Sequence, residues 1–444
     1  MANARRTAVE VLTRIHRDGG FSNIVLDTAL REGALSAADK ALLSKLVYGV
    51  TERRLTLDFV LGQFCTKKLE KMQPTVVEIL RTGAYQLLFM DKIPTSAAVN
   101  EAVKLAKGMG QYKAAGMVNA VLRNVDRNRE TLFDILPKGV QGDALRHSVP
   151  AELVAYWNNA YGKETTAGLL EAVNVPPPQY LRVNTLQISV DAFTKRLEEA
   201  NVPFTVHPDL PAGIHIPTGI DWKGLAKIEE NWYYYQDTAS QYCCFALGAK
   251  PDEHIADVCA APGGKSFTVA QYMQNTGRIL AGDIYPQKCE TIEKRAKSFG
   301  ITCVETVVRD ASKPVPTVLK GQFDRVICDA PCSGFGVIRR KPEIRYKALA
   351  EFKDLPQLQL EILSRASELV KSGGVLQYST CTLRPEENEQ VAALFLEKHP
   401  DFVPRILPLD ACFEKLGVAP SHQITLFPHI HETDGFYIAS FQKK

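Results

Sequence analysis

The chain has 444 residues, a formal net charge of +3, 45% hydrophobic and 23% charged residues. That length exceeds what one hydrophobic core organises, so two or three domains of ordinary globular composition are expected. No apolar run reaches the roughly 18 residues of a membrane span, and MANARRTAVEVL lacks the apolar stretch of an export signal. Ten scattered cysteines (65, 243, 244, 259, 289, 303, 328, 332, 381, 412) in such a chain predict reduced thiols in the cytoplasm rather than a disulfide framework. Cys328 and Cys332 lie four apart, but no second pair or nearby histidine completes a zinc set, so no metal is expected. His429 and His431 also lack an evident third ligand.

The charge is uneven. Residues 1–150 hold 22 Lys/Arg against 15 Asp/Glu, and the remainder 31 against 35. A basic front portion suits a module that meets a polyanion, and a solvated helical surface would show the same balance.

In chain order, residues 1–135 read as an all-α domain. Val9, Leu12 and Ile15 form one stripe ended by Gly19-Gly20, Ser36 offers an N-cap, and PTVVEILRTGAYQLLFM and PTSAAVNEAVKLAKGMG each open on Pro-Thr before an apolar-periodic run. LPKGVQGDALRHSVP (136–150) reads as a linker with turn residues, and the segment to 235 as a small α+β unit. From 236 to 444 strand-like and helical runs alternate: HIADVC, KSFTVAQYM, RILAGDI, PQKCETIEKRAKSF, TCVETVV, FDRVICDA, and so on to GFYIASFQ. That alternation predicts an α/β domain with a mostly parallel, doubly wound sheet.

DVCAAPGGKS (257–266) falls between a strand and a helix, where Gly263 and Gly264 let backbone approach a ligand at the helix amides. A Walker A loop would need glycine at 259, where this chain has Cys259. Asp283 ends the next strand, 19 residues beyond Gly264, the place of an acid that holds ribose hydroxyls. Asp310 and Asp329 end the third and fourth strands. Ligands of open parallel sheets bind outside the carboxyl ends of the strands, so the loop Cys259, Ala260, Ala261, Pro262, Gly263, Gly264 and Lys265, with Asp283, Asp310 and Asp329, is the candidate cofactor site. This pattern leaves open which adenosine-bearing cofactor binds.

CAAPGGKS, DAPCSG (329–334), YSTCT (378–382) and DGFYIA (434–439) stand in the order of the motifs of RNA cytosine-C5 methyltransferases, which the carboxyl half resembles. VYGVTERR and VNAVLRNV resemble a NusB-type RNA-binding domain, and RVNTL and QDTASQ match the connecting segment. Over nearly its whole length the chain resembles the Sun/Fmu (RsmB) family of 16S ribosomal RNA cytosine-C5 methyltransferases. The resemblance implies a Rossmann-like domain, S-adenosylmethionine as cofactor and ribosomal RNA as partner; a monomer is expected. It implies that Cys381 attacks C6 of the cytosine, that Cys332 assists product release, and that Asp329 sits near N3. A swap of the two thiol roles, as in DNA cytosine-C5 enzymes, is the mechanistic alternative, and buried packing is the ordinary role of a single cysteine. For Cys259, Cys289, Cys303 and Cys328 packing is the expected role. Arg339, Arg340, Lys341 and Arg345, in GVIRRKPEIRY, are candidate RNA contacts, with a solvated loop as the plain alternative. A transfer-RNA substrate, or an RNA-binding protein without activity, are the competing functions.

Overall fold

A computed structural model of the chain describes residues 3–18, 22–32, 35–217 and 222–444. The chain forms two compact units, Met1–Asn174 with Ile338–Leu349, and Val175–Val337 with Ala350–Lys444.

The first unit is helical: α1 (Ala4–Asp18), α2 (Ser22–Glu32), α3 (Ala37–Glu52), α4 (Arg54–Gly62), α5 (Pro74–Phe89), α6 (Thr95–Gly108), α7 (Ala115–Arg127), α8 (Val140–His147) and α9 (Ala151–Ala172). The stripe of α1 is buried, with Val9 and Leu12 fully enclosed against a core that includes Leu43, Val47, Leu80 and Leu122. Ser36 caps α3 as expected, its hydroxyl accepting from the Asp39 amide, and Pro74 opens α5 where its missing N–H costs nothing. Gly19-Gly20 lie outside the described residues. Arg53 leaves the helical region (φ −101°, ψ 15°) and separates α3 from α4. One feature differs from the sequence reading. The stretch 136–150, read as a linker, contains α8, bounded by Gly139 and a left-handed Ser148. Thr56 donates to the Leu145 carbonyl and the Leu55 amide donates to the Ser148 hydroxyl, so α8 is bonded into the helical unit, which runs to Asn174.

The second unit begins with an antiparallel sheet of β1 (Gln179–Val183), β2 (Thr205–Val206), β3 (Gly213–Ile216) and β4 (Tyr233–Tyr235), in the order β2-β3-β1-β4. A helix, Val190–Glu199, buries Phe193 and Leu197 against Leu181 and Ile214 of that sheet. The larger sheet contains β5 (His254–Asp257), β6 (Arg278–Asp283), β7 (Val304–Val308), β8 (Phe323–Asp329), β9 (Val370–Thr380), β10 (Phe402–Pro404), β11 (Gln423–Leu426) and β12 (Phe436–Lys443). Its order is β10-β12-β9-β8-β5-β6-β7, with β11 also paired to β12.

Strands β5 to β9 are parallel, and β12 runs antiparallel to β9 and to its other neighbours. Both faces of the parallel part are covered. Val326 and Cys328 of β8 bury on one side among Leu363, Tyr378 and Phe395, and Ile327 points to the other among Phe267, Ile279 and Ile292. Strand order reverses at β5, whose neighbours are β6 and β8. The crevice outside the carboxyl ends at such a reversal is where open sheets bind ligands.

Candidate active site at the carboxyl edge of the sheet

The glycine loop leaves β5 and turns back at once. The Ala260 amide donates to the Gly282 carbonyl (2.8 Å) and the Gly263 amide to the Ala260 carbonyl (2.7 Å). Gly263 has φ +99°, and a Cβ there would lie 2.4 Å from the Phe267 ring, so glycine is required on both counts. The helix Gly264–Tyr272 follows, with Gln236 donating to the Gly264 carbonyl (3.0 Å).

Lys265, second in that helix, places Nζ 2.6 Å from Asp329 Oδ2. Burial opposes the ammonium, but the Asp329 carboxylate outweighs it and lifts the lysine above its ordinary range. The other Asp329 oxygen accepts from the Ser379 hydroxyl (2.7 Å), its register partner across β8 and β9. Asp283, buried at the end of β6, accepts from the Tyr285 amide (3.1 Å) and has Lys288 Nζ at 3.6 Å. Asp310 lies two residues past the end of β7. The Ser312 hydroxyl and amide donate to its Oδ1 (2.7 and 2.9 Å) and hold its carboxyl below the usual range.

Cys332 and Cys381, 49 residues apart in sequence, meet with their sulfurs 3.3 Å apart. The hydrogen bond between the thiols, followed by burial, raises Cys332 well above an ordinary thiol. Gly336 locks the loop that carries Cys332. Its amide donates to the Cys381 carbonyl (3.0 Å), its carbonyl accepts from the Gly435 amide (2.9 Å), and a Cβ would lie 1.9 Å from the Gly435 oxygen. DAPCSG, STCT and DGFYIA thus converge on one place. Cys328, Cys289 and Cys303 are buried, Cys259 is half-buried, and burial raises all four thiols.

The basic run behaves differently from a row of phosphate contacts. Lys341 is exposed and Arg340 half-buried, whereas Arg339 is buried and Arg345 has no exposed surface. The Arg345 guanidinium donates to the carbonyls of Glu52, Val173 and Ile338 and to Asn174 Oδ1. It is spent on the helical unit and is closed to a phosphate. The sequence reading of Arg345 is corrected because backbone acceptors, not solvent, surround it. Arg345→Met should lower unfolding stability in urea by about 2–4 kcal/mol, since it orphans buried carbonyls. An unchanged urea midpoint together with weakened RNA binding would restore the RNA role.

Arg182 and Asn184 are likewise buried. Arg182 donates to Gln271 and Tyr272, and Asn184 to the carbonyls of Asn231 and Phe299. Among the described residues no group of three or more His, Cys, Asp or Glu could hold a metal.

Sequence reasoning passed over Asp257, Ser379 and Glu387. Asp257 is buried beneath the glycine loop, its Oδ2 accepting from Ser266 (2.7 Å), and burial pushes its carboxyl up to about 6. The folded chain therefore holds this proton more tightly than the unfolded chain does. Its contribution is greatest below pH 4 and is lost as pH rises toward 6, by about 3 kcal/mol. Urea unfolding of Asp257→Asn should lack that part of the pH dependence. A variant with the parent's slope would show that Asp257 ionises normally.

A doubly wound α/β domain with a glycine loop, edge acids and paired thiols, joined to a helical unit, has the architecture of an RNA methyltransferase with a NusB-type domain. Residues 244–442 match the family described as 16S rRNA methyltransferase RsmB/F, residues 2–127 the NusB family, and residues 149–223 the ferredoxin-like domain of RsmF/B-like methyltransferases. The chain is 35% identical over 444 residues to the probable ribosomal RNA small subunit methyltransferase B of Bacillus subtilis, covering 100% of this chain and 99% of the relative. It is 34% identical to the protein of the same description from Synechocystis, over 100% of each chain. Among solved structures, the crystal structure of PH0851 superposes with a TM-score of 0.82 at 25% identity, covering 100% of this chain and 99% of that one. The chain belongs to the ribosomal RNA small subunit methyltransferase B family.

Proposed function

We propose that this RNA methyltransferase transfers the methyl group of S-adenosylmethionine to C5 of a cytosine in 16S ribosomal RNA, through a covalent bond between Cys381 and C6. The observation that carries the reading is the 3.3 Å approach of two thiols beside the Lys265–Asp329 pair. C5 of cytosine is a weak nucleophile. Addition of the Cys381 thiolate to C6 turns the ring into an enamine that can accept a methyl group at C5. Loss of the C5 proton and breakage of the sulfur–C6 bond then restore the base and free the thiolate. Cys332, with its sulfur 3.3 Å from that of Cys381, suits a thiol that exchanges a proton during release. Asp329, oriented by Lys265 and Ser379, suits a partner for N3.

The residues present fit the cofactor. Asp283 presents carboxylate acceptors for ribose hydroxyls, the helix after Gly263 offers free amides, and the exposed apolar side chains Ile284 and Val308 at neighbouring strand ends suit the faces of a flat ring. When bound, S-adenosylmethionine supplies an electrophilic methyl group. Asp310 adds a further negative group on the same edge. The basic front portion supports an RNA-docking role for the helical unit, since phosphate contacts dominate such affinity.

The test is nucleoside mass spectrometry of small-subunit RNA treated with the purified enzyme and isotopically labelled S-adenosylmethionine. Labelled 5-methylcytidine is expected. Label on a ribose oxygen or on a ring nitrogen, with none on C5, would overturn the reading.

A further inference from the structure

Glu387 follows the STCT motif by five residues and is fully buried. Each of its carboxylate oxygens accepts two hydrogen bonds. Oε1 takes the Ser333 hydroxyl (2.6 Å) and Arg384 Nη1 (2.9 Å), and Oε2 takes the Ser333 amide (2.9 Å) and Gln359 Nε2 (2.9 Å). Ser333 is the residue after Cys332, and its hydroxyl also meets the hydroxyl of Thr382, the residue after Cys381, at 2.7 Å. Gln359 donates to the Pro331 carbonyl (2.9 Å), so both neighbours of Cys332 are held from the same point. Behind the carboxylate, the Tyr378 hydroxyl donates to the Glu387 carbonyl, and Asn388 accepts from Thr380 and donates to the Thr382 carbonyl.

A buried carboxylate is costly unless every lone pair is used; here three of the four bonds come from the two loops that carry the thiols, and the fourth comes from Gln359 of the helix Leu355–Ser367. We propose that Glu387 is a positioning residue whose carboxylate clamps the Cys332 and Cys381 loops in register, setting the sulfur–sulfur geometry that the reaction uses. These four hydrogen bonds of its carboxylate go to Ser333, Arg384 and Gln359 rather than to a sulfur. Its role in turnover rests on the cytosine-C5 reading; its control of the distance between the sulfurs does not.

Glu387→Gln tests this with little change of volume. Whichever way the amide is turned, its NH2 faces donors where the carboxylate had accepted, so the clamp must open on one side. The first readout is the rate at which diamide joins Cys332 to Cys381 in the full chain, followed by peptide mass spectrometry. Each cross-link transfers two electrons and two protons from the thiols to the reagent. Removing a nearby negative charge would by itself ease thiol ionisation and speed the reaction, so a slower cross-link reports geometry. The expected result is a cross-link slowed about tenfold, kcat lowered about 100-fold and KM for RNA within about twofold of the parent, in a chain that still binds S-adenosylmethionine.

Ser333→Ala removes only the hydroxyl link between the loops and should move both rates the same way, by about fivefold. It carries the test if Glu387→Gln does not fold. A folded variant that cross-links and turns over like the parent would overturn the proposal. Slowed cross-linking in an enzyme whose parent makes no 5-methylcytidine would instead uphold the clamp and sink the functional reading.

Discussion

Cys381→Ala is expected to transfer no methyl group and to form no covalent complex, whereas Cys332→Ala should attack, methylate and then stall. With labelled RNA and S-adenosylmethionine, the Cys332 variant should accumulate a protein–RNA adduct that survives denaturing electrophoresis. The asymmetry follows from the proposed roles: Cys381 supplies the sulfur that bonds to C6, and Cys332, its sulfur 3.3 Å away, attends release. Loss of an activated nucleophile removes the whole covalent route, an effect of about 10⁴-fold or more when the groups act as a unit. Loss of the attending thiol leaves bond formation intact and removes only the proton transfer that lets the product go, worth about 10²- to 10⁴-fold. An adduct trapped by Cys381→Ala and absent from Cys332→Ala would reverse the roles. Full activity in both variants would return the two cysteines to packing.

Asp329→Asn should be the next most damaging change. Its carboxylate has two anchors, Lys265 at 2.6 Å and Ser379 at 2.7 Å, which leave it little freedom beside the thiols. An amide keeps the shape but loses the charge that would favour a protonated N3, so single-turnover methyl transfer should fall by about 10²- to 10³-fold. The same change strips the half-buried Lys265 ammonium of its charge partner. Unfolding stability should therefore fall by about 2–4 kcal/mol, less than for a wholly enclosed pair because Asp329 keeps some solvent. Chemical unfolding and rapid-quench kinetics separate the two effects. A variant destabilised but as fast as the parent would confine Asp329 to holding Lys265.

The parts of this molecule that were legible in the sequence are those whose signal is local. The stripe of α1, the Ser36 cap, the strand–loop–helix around Gly263 and the placing of Asp283 and Asp329 at strand ends all follow from periodicity and turn chemistry within a few residues. What the sequence concealed depends on contacts made across long separations. The antiparallel direction of β12 is invisible in GFYIASFQ, because alternation marks a strand and not its sense. Helix α8 hides in a stretch rich in turn residues because its bonds run to Thr56 and Leu55. Arg345 looked like a surface cation because nothing nearby announces the three carbonyls that enclose it. Glu387 sits among the acids of RPEENE, and only the fold distinguishes it from the others.

Segment Ile338–Leu349 has a consequence for how the protein is made. Arg345 bonds to Glu52 across a sequence separation of 293, and Tyr346 donates to the Thr51 carbonyl across 295. During synthesis the helices emerge first, and their apolar core is drawn from their own residues, so they can pack as domains made early ordinarily do. The carbonyls of Thr51, Glu52 and Val173 receive their Arg345 and Tyr346 donors only when this late stretch arrives, so a chain ending between Asn174 and Ile338 has the core without those bonds.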